Sequence, residues 1–244
     1  MIDVRNLHFA YRDKPILKGI SFSIKKGDTL SILGANGSGK STLLSIMLGF
    51  LKFKGEVLIE GKSVSEYGKR DLAKMIAYVP QTHAPSYDYS VFDIVLMGAL
   101  CRTPLFSSFS RADKKLTEAM LEKMGILELK NEPYTKISGG QRQLAYIART
   151  LVQGAKVIFM DEPTNGLDFG NQIKLLEMIR SLKDEGYTFV QTTHYPRHAK
   201  FVSNLTLFLK DGEILAFGES ENLINSENID KIYNIDYERY KDKL

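Results

Sequence analysis

An α/β fold with a largely parallel sheet, a strand-rich N-terminal region and an inserted helical segment is the fold class this chain predicts, and three observations carry it. Short apolar, β-rich runs alternate with helical patterns along the 244 residues. A glycine-rich turn, Gly34-Ala35-Asn36-Gly37-Ser38-Gly39, separates an apolar run from a helical pattern. The stretch from about Ser90 to Lys136 is helical in pattern with no convincing strand, unlike the sequence on either side.

The early part, through Val57-Leu58-Ile59, is strand-rich, with turn signals at Gly27-Asp28 and Glu60-Gly61-Lys62. Thr29 to Leu33 is expected as a buried strand, with a helix from about Lys40 to Leu48 after the turn. In the middle, Asp113 to Met124 places Leu116, Met120 and Met124 at helical spacing. Strands are expected again at Val157 to Met160, Phe189 to Thr192 and Leu205 to Leu209. The helical middle is therefore expected as an insertion into an α/β core rather than a separate domain. No internal repeat or low-complexity segment interrupts this order.

Composition narrows the function classes. Hydrophobic residues make up 43% and charged residues 25%, as in ordinary soluble globular chains. No run reaches the roughly 20 apolar residues that a membrane span needs. The first residues carry Asp3, Arg5, Arg12, Asp13 and Lys14, so no secretory signal is expected. The single cysteine, Cys101, excludes an intrachain disulfide and fits a reducing cytosol. A net charge of +4 without a Lys/Arg cluster gives no sign of nucleic acid as a partner.

Gly34-Ala35-Asn36-Gly37-Ser38-Gly39-Lys40-Ser41 fits the P-loop pattern, in the strand–loop–helix setting that its chemistry needs. Glycines let successive backbone N–H groups curve around phosphate oxygens without a side-chain clash. The following helix adds the positive end of its dipole. Lys40 is expected to reach the β- and γ-phosphates of a nucleotide, the Ser41 hydroxyl to take a Mg²⁺ position, and Thr42 to join the nucleotide-binding set. A Gly-rich turn can also precede a helix by chance, but the full pattern in this setting points to nucleotide binding.

Val157-Ile158-Phe159-Met160-Asp161-Glu162 is an apolar strand ending in two carboxylates. In P-loop enzymes an acid at such a strand end holds Mg²⁺, and Asp161 fits that role. Glu162, one residue on, is placed to orient or deprotonate an attacking water. Taken alone the pair could merely cap the next segment, and a P-loop alone could belong to a kinase, a GTPase or a helicase.

Ser138-Gly139-Gly140-Gln141-Arg142-Gln143 narrows the choice. In isolation it would serve as a helix N-cap, but 23 residues before Asp161 and downstream of a P-loop it resembles the signature of the ABC ATPase family, with Ile137 where that signature has leucine. Other elements follow in the family's order. Tyr11 falls at the adenine-stacking aromatic, Gln81 of Tyr78-Val79-Pro80-Gln81 at the Q-loop, Asn165-Gly166-Leu167-Asp168 at the D-loop and His194 at the switch histidine. Tyr195-Pro196 departs from the acid that follows the histidine in many relatives. The likeness spans about residues 2 to 218.

It implies an ABC ATPase fold with an N-terminal antiparallel β region, a core over residues 1–81 and 138–218, a helical subdomain over 82–137 and a tail over 219–244. It also implies that Gln81 contacts Mg²⁺, that His194 contacts the γ-phosphate, and that Ser138 to Gln141 close over ATP held by a second copy. The partners it implies are that second copy, separate transmembrane permease subunits and an extracytoplasmic solute-binding protein, at the cytoplasmic face of the membrane. Importer, exporter and soluble non-transport members remain open. Val91-Phe92-Asp93-Ile94-Val95-Leu96-Met97-Gly98 with Arg102 and Pro104, and the tail Glu227 to Ile235, are similar to the metal-chelate importer group. That group carries iron–siderophore, haem, cobalamin or related oxyanion cargo.

Overall fold

The computed structural model describes residues 1–81, 89–104, 107–236 and 239. Residues 82–88 and 105–106 of the expected insertion, and 237–238 and 240–244 of the expected tail, lie outside the described residues. The chain divides into two compact units, Met1–Tyr67 with Leu176–Leu244, and Gly68–Leu175.

The first unit opens with strands β1 (Ile2–Tyr11), β2 (Lys14–Ile24) and β3 (Thr29–Leu33), helix α1 (Lys40–Met47), and strands β4 (Lys54–Ile59) and β5 (Lys62–Ser63). The second holds α2 (Lys69–Met75), β6 (Ile76–Val79), α3 (Val91–Leu96), α4 (Arg111–Lys123), α5 (Gly139–Gln153) and β7 (Val157–Asp161). The division falls within α6 (Phe169–Asp184). The first unit resumes with β8 (Thr188–Thr193), α7 (Pro196–Val202), β9 (Leu205–Lys210), β10 (Glu213–Glu219), α8 (Ser220–Leu223) and α9 (Ser226–Tyr233).

In the first unit β1 pairs antiparallel with β2 and β4, giving the order β2-β1-β4-β5. Burial of Leu17, Ile20, Phe22 and Ile24 on β2 follows the alternation of a sheet packed on one face. β3 is buried at all five positions, as its apolar run predicts, because parallel neighbours β8 and β9 flank it. The last row of one pairing joins Leu33 to Thr193, so the loop after β3 and the residues after β8 leave the sheet at the same edge.

The tail packs on this edge. Ile224, Ile229 and Ile232 are buried with Leu33, Ala199 and Phe208. Each such isoleucine contributes about 1.5–3 kcal/mol. The exposed Lys231–Glu227 pair at 2.6 Å is worth about 0–1 kcal/mol, so apolar burial holds α9 in place.

In the second unit β6 and β7 run parallel, with Val79 opposite Met160 on the last paired row. Helices α3, α4 and α5 each begin with a serine capping box, Ser90–Asp93, Ser110–Asp113 and Ser138–Gln141, which satisfies donors of their first turns. The stripe expected on α4 is rotated. Thr117, Leu121 and Met124 are buried, Met120 is half-buried and Leu116 is exposed. Thr117 can occupy the inner face because its hydroxyl donates to Asp113 O at 2.8 Å.

Arg102 donates to the Asp113 carboxylate at 2.8 Å and to the Val152 carbonyl at 2.5 Å, tying the start of α4 to the end of α5. The Ser110 hydroxyl and then Arg102 hold that carboxyl below the usual carboxylate range. No helix among the described residues is long and apolar enough to cross a membrane.

Candidate functional site

The glycine-rich loop and His194 lie in the first unit. Gly34 is buried, and a Cβ there would meet the Leu209 carbonyl at 2.3 Å and the Ser38 hydroxyl at 2.6 Å. Gly37 and Gly39 sit at φ 81° and 106°, the left-handed region that glycine enters without strain. Gly39 is the N-cap of α1 and offers no side-chain cap, unlike the serines that begin α3, α4 and α5. No N-cap side chain therefore covers the N-terminal end of α1, the end that favours an anion.

Lys40 is 5% exposed, and its ammonium donates to the carbonyls of Gly34 at 2.8 Å and Ala35 at 3.1 Å. The Ser38 hydroxyl is buried without a hydrogen-bond partner. Asn36 and Ser41 are exposed and Thr42 is half-buried. Uncapped donors, a held ammonium and an unpartnered hydroxyl on one loop suit an oxyanion, and the residues present fit a phosphate chain.

Tyr11 ends β1 with 53% of its surface exposed, and its ring lies edge-on to Phe9 at 4.8 Å. That fixed, accessible face suits stacking of a planar base. His194 follows β8 directly, one residue beyond the row that pairs Thr193 with Leu33.

Gln81, Asp161, Glu162, Ser138 to Gln141 and Asp168 lie in the second unit. Asp161 is buried at the end of β7. Burial, and then the charge of Asp161, pushes the Tyr78 phenol up to about 12. Glu162 has φ 45°, a left-handed conformation costing a non-glycine residue about 1–3 kcal/mol. Asn165 N donates to the Glu162 carbonyl at 3.0 Å and closes the turn.

Two amides then fix the Glu162 side chain. Gln81 Nε2 donates to its Oε2 at 2.9 Å, and Asn165 Nδ2 donates to the same oxygen at 3.4 Å. The structure therefore brings Gln81 and Glu162 into direct contact across the parallel strand ends. With its amide nitrogen so engaged, Gln81 has its amide oxygen as the remaining acceptor. In this unit the Gln81 amide oxygen and the Asp161 carboxylate are hard oxygen donors of the kind Mg²⁺ takes, and in the first unit the Ser41 hydroxyl is another.

Ser138 begins α5. Its Oγ accepts from Gln141 N at 3.2 Å, and Gln141 Oε1 accepts from Ser138 N at 2.9 Å. A serine hydroxyl that accepts keeps its own proton to donate, so the cap leaves Ser138 able to bind an anion. Gly139 and Gly140 differ in kind. A Cβ on Gly140 would meet Asn171 at 3.1 Å, whereas one on Gly139 would meet nothing closer than 3.9 Å. The folded chain packs tightly against the second glycine and leaves the first open.

Asp168 precedes α6 and accepts from Asn171 N at 2.9 Å. That bond chiefly holds its carboxyl below the usual carboxylate range. Asn171 thus joins Asp168 to the Ser138–Gln141 segment.

Sequence reasoning placed Asn165 in the D-loop without its contact to Glu162 and missed Asn171, although each stands three residues after the acid it serves, a spacing typical of turns and caps. It also missed Tyr233, whose hydroxyl donates to the His194 carbonyl at 3.1 Å. That contact crosses 39 residues and carries no local signal.

Residues 17–165 match the family model described as ABC transporter. A molybdate import ATP-binding protein of Haemophilus influenzae is 35% identical over 236 residues, covering 96% of this chain and 88% of that protein. A manganese transport system ATP-binding protein of Bacillus subtilis is 34% identical over 246 residues, covering 100% of this chain and 96% of that protein. Among solved structures, an inward-facing transporter described as of metal-chelate type matches with a TM-score of 0.86 at 34% identity. That match covers 96% of this chain and 88% of the other.

Proposed function

This chain belongs to the ABC transporter family and is its ATP-binding, ATP-hydrolysing component, and from that premise we propose that two copies sandwich ATP and drive an importer through separate membrane subunits. The observation that carries this reading is the Gln81–Glu162 contact at 2.9 Å, which couples the loop at the end of β6 to the acid at the end of β7.

Lys40 and the N–H groups of residues 34–42 bind the phosphates, and Tyr11 stacks on adenine. Mg²⁺, when bound by Ser41, Gln81 and Asp161, offsets phosphate charge. Glu162 receives the proton of the attacking water, oriented by Gln81 and Asn165. His194 contacts the γ-phosphate. Ser138 to Gln141 act on the nucleotide of the partner copy, with Asp168 bracing them through Asn171. Because this second grip needs the γ-phosphate, ATP favours the closed pair and ADP does not. The described helices between Gln81 and Ser138, α3 and α4, belong to the part that moves with closure and carries the docked membrane subunits, at the cytoplasmic face.

Lys40→Ala tests the phosphate cradle. Loss of a charge-assisted bond to phosphate is expected to weaken ATP binding by about 10- to 100-fold, read by titration with a fluorescent ATP analogue. Unchanged affinity would remove Lys40 from this role.

The cargo proposed is a metal chelate or a related oxyanion, fed by an extracytoplasmic solute-binding protein. The segment from Val91 to Gly98 with Arg102, the α9 tail and the metal-chelate type neighbour support it. ATP-dependent uptake of ferric siderophore, haem, cobalamin or molybdate by the complex in proteoliposomes tests it. Transport in the opposite direction would contradict it.

A further inference from the structure

We infer that Tyr233, at the end of the tail helix α9, is a positioning residue for His194, so that the tail is part of the device that presents this histidine to the nucleotide. The inference rests on the reading of His194 as the γ-phosphate contact. It goes beyond that reading by assigning a task to a part of the chain remote in sequence from every nucleotide motif.

Only His194 and Tyr195 connect β8 to α7. The peptide between them is a rigid plane, and its orientation sets the backbone dihedrals on either side. Both polar ends of that plane are held by side chains. The carbonyl of His194 accepts from the Tyr233 hydroxyl at 3.1 Å, and the N–H of Tyr195 donates to Thr193 Oγ1 at 3.1 Å. Rotation of the plane, and with it the direction in which the His194 side chain leaves the backbone, would break both bonds.

The side chains add a second restraint. The Tyr195 ring lies 4.0 Å from the His194 ring and 4.8 Å from the His198 ring, centroid to centroid. Tyr195 stands where many relatives have an acid, so here a tilted aromatic contact takes the place of a charge beside the histidine.

Tyr233 is itself fixed. Ile229 and Ile232, on the same helix, are buried against Leu33, Ala199 and Phe208. Leu33 is the residue before the glycine-rich loop and Ala199 lies on the helix after His194, so α9 braces both from one side. Asn234 ends α9 in the left-handed region at φ 55°, and Lys210 bonds to both the Lys231 carbonyl and the Asn234 side chain. The hydroxyl is thus delivered by a docked helix with a closed end rather than by a free tail.

The test is steady-state ATP turnover of the assembled transporter with Tyr233→Phe, which keeps the ring and its packing and removes only the hydroxyl. The expected result is a fall in kcat of about threefold to tenfold, the worth of one hydrogen bond, with KM unchanged and the melting temperature lowered by no more than about 4 °C. Thr193→Val, which removes the bond at the other end of the peptide, is expected to lower kcat in the same way, and Thr193→Ser to restore it. His194→Ala is measured alongside.

If His194→Ala lowers kcat while Tyr233→Phe leaves it at the parental value, the positioning role is overturned and the role of His194 stands. If Tyr233→Phe lowers the melting temperature and leaves kcat unchanged, the hydroxyl is merely structural and the inference is overturned. If His194→Ala turns over at the parental rate, the reading of His194 fails and the inference fails with it.

Discussion

Glu162→Gln is expected to bind ATP as the parent does and to lose about 10²–10⁴ in turnover, the usual worth of a positioned general base. The substitution is nearly isosteric. The glutamine carbonyl can still accept from Gln81 Nε2 and Asn165 Nδ2, which now hold Glu162 Oε2 at 2.9 and 3.4 Å. The turn closed by Asn165 N does not involve the side chain, so the residue keeps its left-handed backbone at φ 45° and the fold is unaffected. What disappears is the capacity to take a proton. With ATP bound and not consumed, the two copies should accumulate as a closed dimer, visible by light scattering, whereas ADP should leave them apart. Turnover at the parental rate would show that Glu162 is not the base.

Ser138→Arg is expected to abolish turnover while leaving ATP binding to the monomer nearly intact. The bonds that hold Lys40 in the glycine-rich loop run to the Gly34 and Ala35 carbonyls and involve no atom of Ser138. Ser138 also caps α5 through Gln141 N, and loss of a serine cap costs about 0.5–2 kcal/mol. A lower melting temperature is therefore expected as well, and it must be separated from the loss of activity.

Gly139→Val does this. A Cβ at Gly139 meets nothing closer than 3.9 Å, so the folded chain tolerates a side chain there. A phosphate approaching from a second copy would not. Gly139→Val should thus lose turnover by about 10²-fold or more, because its side chain keeps the phosphate away from the segment's donors, with its melting temperature held. Gly140 makes a poor probe, because a Cβ there meets Asn171 at 3.1 Å and disturbs packing directly. Parental turnover in Gly139→Val would place the Ser138–Gln141 segment outside the reaction.

Residues whose task depends on near neighbours were legible in the sequence. The glycine-rich loop, the paired acids after an apolar strand and the Ser138 box each declare themselves within a few positions, because backbone geometry alone fixes what they can do. The helix N-cap and the anion site, alternatives for Ser138 in the sequence, do not exclude each other, since capping uses a lone pair and leaves the proton. The face of α4 was legible only by period. Hydrophobicity favours Leu116, but Thr117 is buried instead because its own helix satisfies its hydroxyl at Asp113 O. Tyr233 was not legible at all. Its partner lies 39 residues away, and the contact exists only once the isoleucines of α9 have docked.

The two-copy site is tested most directly by the rate of ATP hydrolysis per chain as the full-length protein is diluted at saturating ATP and Mg²⁺, with the monomer fraction followed by light scattering. A nucleotide that must be gripped by the loop of one copy and the Ser138–Gln141 segment of another requires the rate per chain to fall with the dimer fraction and to vanish when only monomer remains. A rate per chain that stays constant into the purely monomeric range would contradict it.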